Sequence, residues 1–273
     1  MNYNQQINNL LQQFGSGNKE SAYKKLLKIL NKRKDDFLLR YNIAVIEQEL
    51  NLNERARSNY KLIISNQENI KAMVNLYNLD IKEEKYEHAL ILIEKILEIN
   101  NNLDFVNKDR AFVFLKLNKI KQSKNLCNTL LSKDEKDKDV LNILGLCYSA
   151  EDNFNMASKV FNRILSYDNN NIAALNSLGR LHHEKRNSKE AERYFLKALN
   201  LDSSSYQVLN NIAGFYREEG QYKKSINYYL KALNLNPNNS YILNNLSKSY
   251  FDINDFNLAE SYALKALNYN KED

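Results

Sequence analysis

Apolar residues return at intervals of three and four along nearly the whole chain, as they do on one face of a helix. Leu209, Ile212, Ala213 and Tyr216 form one such stripe, and Ile226, Tyr229, Leu230 and Leu233 form a second. Gly220 stands between them, where a tight turn favours a residue without a Cβ, and Pro237 with Asn238 and Asn239 closes the second stripe. The pattern predicts a pair of helices joined by a short turn. With six glycines, one proline and no alternating apolar and polar runs in 273 residues, the same reading extends to nearly the entire chain.

The pair then repeats. Tyr148, His182, Tyr216 and Tyr250 stand 34 residues apart. Carried to both ends, this register divides the chain into eight repeats, 3–36, 37–69, 70–103, 104–137, 138–171, 172–205, 206–239 and 240–273, the second one residue short. The twentieth place of each holds a small residue: Ala22, Ala56, Ala89, Ser123, Ala157, Ala191, Ser225 and Ala259. Eight places later stand Leu30, Ile64, Leu97, Leu131, Leu165, Leu199, Leu233 and Leu267. A small residue lets two helix backbones cross closely, and the large one fills the space beside the crossing. Asn153, Asn187 and Asp255 fall in the turns, as caps for the helices that follow. One such hairpin cannot bury its apolar faces alone, so neighbours must stack.

The run Leu-x-x-Ile-Ala-x-x-Tyr-x-x-x-Gly-x-Tyr-x-x-Ser-x-x-x-Tyr-x-x-Ala-Leu-x-Leu-x-Pro, from Leu209 to Pro237, resembles the tetratricopeptide repeat. The match is close from Lys138 onward. In the earlier repeats the tyrosine place holds Gln13, Glu47, Asp80 and Phe114, and the small place of the first helix holds Leu10 and Tyr77. The resemblance implies an all-α fold: one solenoid of helix hairpins over 3–273, wound into a right-handed superhelix, with first helices lining an inner groove.

Composition narrows the function. Lysine and arginine number 39 against 33 aspartates and glutamates, a formal charge of +6, and the two signs are interleaved without a basic block, so no nucleic-acid partner is expected. A mean hydropathy of −0.62 and the absence of a long apolar run or a leader-like start point to a cytoplasmic protein without a membrane role. Cys127 and Cys147 sit in apolar stretches and read as small hydrophobes. No nucleotide loop, nucleophile motif or metal-ligand spacing is present. His182 and His183 are neighbours that point about 100° apart on a helix, and His182 holds a core aromatic's place. No catalysis, cofactor or metal is expected.

If the first helices line a groove, their outward places would meet a ligand. The sixth place reads Asn8, Asn42, Asn75, Asp109, Ile143, Ser177, Asn211 and Asn245, with Asp109 and Ile143 breaking the column, and the fifth carries Asn142, Asn176, Asn210 and Asn244 in the last four repeats. An amide offers an acceptor and two donors, matching a peptide backbone. The column resembles the ladder in the repeat arm of O-linked N-acetylglucosamine transferases. Arg180, Arg217 and Lys248 on the same helices add cations for an acidic segment. The family's chaperone-tail clamp is not reproduced, since Lys108 is followed by Phe112 and Asn142 by Leu146. Tyr194, Tyr228 and Tyr262 recur on the second helices and are expected to pack. The expected function is a protein-binding scaffold for an extended peptide or helix. The alternatives are a substrate-recruiting arm of a larger or associated enzyme, such as an O-linked glycosyltransferase, and a self-assembling scaffold with weak end-to-end association.

Overall fold

The computed structural model describes residues 2–270; residues 271–273, the end of the eighth repeat, lie outside them. Every regular element among the described residues is an α-helix. The chain divides into two compact units, 1–119 and 120–273. The first holds α1 (Tyr3–Gly15), α2 (Lys19–Lys32), α3 (Phe37–Glu49), α4 (Asn53–Asn66), α5 (Ile70–Lys82), α6 (Tyr86–Ile99) and α7 (Asp104–Lys116). The second holds α8 (Ile120–Lys133), α9 (Lys138–Ala150), α10 (Phe154–Tyr167), α11 (Ile172–Glu184), α12 (Ser188–Leu201), α13 (Tyr206–Glu218), α14 (Tyr222–Leu235), α15 (Ser240–Asp252) and α16 (Phe256–Asn270). Within each unit, successive helices pack as antiparallel hairpins, and each hairpin packs on the next.

Short polar side chains start the helices. Asn2, Asp36, Asn69, Asp137, Asn171, Ser205 and Asn239 each accept a backbone N–H in the first turn of a first helix. Asn153, Asn187 and Asp255 do the same for second helices. The charged run from Lys133 to Asp139 is therefore a capped junction, with Asp137 Oδ1 accepting from the N–H groups of Asp139 and Val140.

The hairpin turns share one backbone device. Gly17, Asn51, Glu84, Asn118, Asp152, Arg186, Gly220 and Asn254 all take positive φ. Each is the fifteenth residue of its repeat, and the next N–H reaches back to the carbonyl five residues earlier, as from Gln221 to Tyr216 at 2.8 Å and Asn187 to His182 at 2.9 Å. This is the left-handed C-terminal cap that satisfies a helix's last carbonyls. Six of the eight positions are not glycine. Four of these are Asn or Asp, which enter this region more readily, while the stacked hairpins hold Glu84 and Arg186 there at a cost of about 1–2 kcal/mol each.

The small residues of the twentieth place are all buried, seven of them fully. Ala22 shares a cluster with Ile43 and Ile46 of the next hairpin, and Ala191 one with Ile212, Phe215 and Tyr216. Close crossing is compensated inside three of the hairpins. Where the eighth place is glycine, the twenty-fourth is phenylalanine: a Cβ built on Gly145 would lie 2.5 Å from the Phe161 ring, and one on Gly179 would lie 2.6 Å from Phe195. Where the eighth place is Tyr77, the twenty-fourth shrinks to Ile93, and both are fully buried in one cluster.

Of the degenerate aromatic places of the first unit, Gln13 is exposed, but Glu47 and Asp80 are buried and paired. Glu47 is buried and accepts from Tyr23 Oη and Asn59 Nδ2, both at 2.8 Å. Asp80 is buried against Arg57, whose other terminal nitrogen donates to Glu83 at 2.5 Å. Burial works against the charged guanidinium, but Asp80, Glu83 and Glu54 raise the Arg57 pKa above the usual arginine value.

The glycines give opposite expectations. Gly179→Ala drives a methyl into the Phe195 ring, and overpacking of about 1–3 kcal/mol outweighs about 1 kcal/mol of helix propensity. Gly214→Ala meets only the Tyr229 hydroxyl, at 3.4 Å, so it raises stability by up to about 1 kcal/mol. Urea unfolding of the two variants should move in opposite directions; a shift of the same sign in both would overturn the packing described.

Candidate functional site

In the second unit the first helices α9, α11, α13 and α15 lie side by side. Their fifth and sixth places are adjacent residues, so an amide on one helix faces forward while its neighbour faces back. The structure joins them from repeat to repeat. Asn211 Nδ2 donates to Asn176 Oδ1 at 3.0 Å, and Asn245 Nδ2 donates to Asn210 Oδ1 at 3.5 Å. Each bond spans 35 residues, from a sixth place to the fifth place of the preceding repeat. The first unit has the same rung in different chemistry: Asn75 Nδ2 donates to Tyr41 Oη and also to Tyr60 Oη, both at 3.1 Å. Asn142 breaks the series. Its partner place holds the shorter Ser177, and Asn142 Oδ1 is buried with no hydrogen-bond partner.

Beside these rungs is a cavity of about 280 Å³. It gathers five of the expected groove residues: Arg180, Asn210, Asn211, Arg217 and Asn245. Asn142, Asn176, Asn244 and Lys248 do not line it, and Asn42 and Asn75 belong to the first unit. The two guanidiniums are already engaged. Arg217 Nε donates to Asp252 Oδ2 at 2.6 Å and Nη2 to Oδ1 at 3.4 Å, while Arg180 pairs with Glu184 at 3.7 Å. His183 lies 3.1 Å from Glu218 and meets the Phe215 ring edge-on. The cavity therefore has balanced charge and neutral amides in its lining, with the buried Phe195, Phe215 and Tyr229 behind them.

Three family profiles match this architecture in sequence: the N-terminal TPR repeats region of Psidin over residues 71–179, and two tetratricopeptide-repeat profiles over 172–205 and 204–272. The chain belongs to the tetratricopeptide-repeat family. No curated protein matches it. Among solved structures, a tetratricopeptide repeat protein of Parabacteroides merdae is similar at 18% identity over 85% of this chain and 93% of its own, with a TM-score of 0.64. A thermophilic TPR protein of Thermus thermophilus is similar at 17% identity over 67% of this chain and 100% of its own, with a TM-score of 0.62. At such identities these likenesses concern the fold alone.

Elsewhere on the TPR hairpins, potential functional groups are packed. His182 stacks on Tyr194 and meets Phe154 edge-on, with centroids 5.4 Å away in both cases. Tyr228 stacks on Tyr216 and Tyr262 on Tyr250, each at 5.5 Å. The tyrosines of the second helices thus cover the aromatic of their own first helix. Burial pushes the Cys127 thiol up to about 12 and raises Cys147 as well, which keeps both protonated. No helix among the described residues is long and apolar enough to cross a membrane.

Sequence reasoning missed His183, Glu218 and Tyr241 in the cavity lining. His183 carried a usable signal, since it holds the twelfth place that Arg217 holds one repeat later.

The interrupted rung is repairable. In Ser177→Asn, the longer amide is expected to reach Asn142 Oδ1, whose unmet acceptor costs about 1–3 kcal/mol. Thermal unfolding should show a higher Tm for Ser177→Asn and no gain for Ser177→Val; equal behaviour of the two would refute the rung geometry.

Proposed function

We propose that this TPR protein is a non-catalytic scaffold whose second unit binds an extended segment of a partner protein along α11, α13 and α15. One observation carries the reading. Asn211 and Asn245 each spend one N–H on the preceding repeat, which fixes the amide plane and leaves the second N–H and the carbonyl for a ligand. Successive rungs supply the same donor and acceptor, as a peptide backbone does along its length. Backbone contacts of this kind favour affinity over sequence selectivity. Because Arg180 and Arg217 are paired with Glu184 and Asp252, a neutral or mixed segment suits this cavity better than a strongly acidic one.

The test is selection of random peptides on the immobilised protein, followed by titration against Asn211→Ala/Asn245→Ala. Each lost hydrogen bond is worth about 1 kcal/mol, so selected peptides should bind the double variant roughly tenfold more weakly or worse. Peptides indifferent to both amides would refute the proposal.

A second reading has its own observation. On α15 and α16, Phe251 is 61% exposed, Phe256 55%, and Leu264 and Leu267 54% each. Leu233 and Leu199, which hold the place of Leu267 in earlier repeats, pack against clusters that include the next first helix. We infer that this apolar face associates with a second copy. Sedimentation should show reversible dimers at micromolar concentration, lost in Leu264→Lys/Leu267→Lys; a wild type monomeric throughout would exclude it.

A further inference from the structure

The cations of this chain look evenly scattered in sequence, but the fold gathers four of them. Lys25, Lys28 and Lys32 fall on one face of α2, at successive intervals of three and four, and Arg33 follows at its end. Together with Tyr3, Gln6 and Leu10 of α1, and Ile29 between the lysines, they line a cleft of about 610 Å³. Among the described residues, no carboxylate lines it. Asp36, which accepts from the cleft's Tyr3 hydroxyl, is engaged a second time by the backbone N–H of Leu39. The neighbouring Glu20 pairs with Lys24, which stands outside the cleft.

This arrangement opposes the helix that carries it. Like charges three and four residues apart on a helix repel, and none of the three lysines has a salt-bridge partner among the described residues. Two cations at the C-terminal end of α2, Lys32 and Arg33, suit the helix dipole; Lys25 and Lys28 lie further back and gain little from it.

We propose that the α1–α2 cleft binds an acidic segment of a partner protein, extended and carrying carboxylates at alternate residues. The spacing agrees. Lys28 and Lys32 are about 6 Å apart along the helix axis at 1.5 Å per residue, and alternate side chains of an extended chain are separated by about 6.6 Å. Leu10 and Ile29 give an apolar strip beneath the cations, and the Gln6 amide offers backbone hydrogen bonds. A nucleic acid is a poorer fit, because single strands bind by stacking bases on open aromatic faces. Among the described residues lining the cleft Tyr3 is the one aromatic, and the Arg33 guanidinium already covers it, 3.9 Å from the ring centroid. This surface belongs to the first unit and the two asparagine–asparagine rungs to the second, so the two readings share no residue and stand or fall separately.

The experiment is fluorescence anisotropy with a labelled peptide of alternating glutamate and alanine. Its glutamine counterpart and an oligothymidylate of equal charge serve as competing probes. Lys25→Gln/Lys28→Gln/Lys32→Gln is compared with Lys121→Gln/Lys159→Gln/Lys223→Gln, which removes the same charge from exposed lysines of the second unit. The cleft variant should bind the acidic peptide roughly tenfold more weakly or worse, with little change in the control variant and binding by wild type that weakens as salt rises. The glutamine peptide should not bind. Equal loss in both triple variants would reduce the effect to net charge and overturn the proposal, as would tighter binding of the oligothymidylate. Because the substituted lysines are exposed, both variants should retain the wild-type helical circular dichroism. The Asn211→Ala/Asn245→Ala variant should bind the acidic peptide as wild type does.

Discussion

Everything described above depends on how closely two helices cross at the twentieth place of each repeat. Within each unit, with a buried alanine or serine there, the second helix can approach both its own first helix and the next one. The rest of the hairpin adjusts to that distance. One ring fills the crossing in each of three hairpins, Phe161 or Phe195 opposite a glycine and Tyr77 opposite Ile93, and leaves no space for a second. The left-handed turn residue follows from the same constraint: the chain must reverse within a few residues, and only that cap satisfies the last carbonyls of the first helix. Non-glycine residues tolerate it because the crossing fixes both ends.

With the backbones set, the seam between hairpins becomes a series of matched pairs. The twenty-first place of one repeat meets the eleventh of the next. Tyr23 donates to Glu47, Arg57 to Asp80, and Tyr216 to Glu192, while Lys124 sits 4.7 Å over the Tyr148 ring. Beside these, the twentieth and tenth places pair Ser123 with Cys147 and Ser225 with Ser249, both at 3.1 Å. Donor and acceptor change sides from seam to seam, so a hairpin moved to another neighbour would bury an unmatched group. Such a mismatch costs more than the pair itself contributes. The tyrosine place is thus free to become a carboxylate in the first unit, provided its partner across the seam changes too.

This explains what could be read from the sequence and what could not. The columns of small and branched residues were visible because packing fixes their sizes at fixed places. The capping asparagines were visible for a similar reason, since only a few side chains can serve. The asparagine column was visible as a residue type, but its bonding was not. Nothing in the letters shows that Asn211 would reach back to Asn176, or that Arg217 would be taken by Asp252 in the next repeat. Charge was read along the chain, where Lys25, Lys28, Lys32 and Arg33 are diluted by apolar neighbours. On the α2 surface those neighbours turn inward and the cations come together. A helical projection recovers the stripe; what it lacks is the face of α1 that turns the stripe into a cleft.

The two surfaces differ in what they can recognise, because they differ in the strength and reach of their forces. Amide hydrogen bonds act over about 3 Å, are nearly indifferent to salt, and read the backbone common to all peptides. If the proposed rungs hold a peptide, its side chains would be read by the groups beside them, such as His183, Glu218 and Tyr241. Unpaired lysines act over about 10 Å at ordinary salt and attract a charged segment before contact is made. Discrimination there rests on charge density, not on shape. A TPR array is suited to carrying both, since each repeat keeps its buried places fixed and leaves its outward places to vary. The same hairpin that must hold alanine at the twentieth place can therefore offer asparagine on one helix in one unit and lysine on another helix in the other.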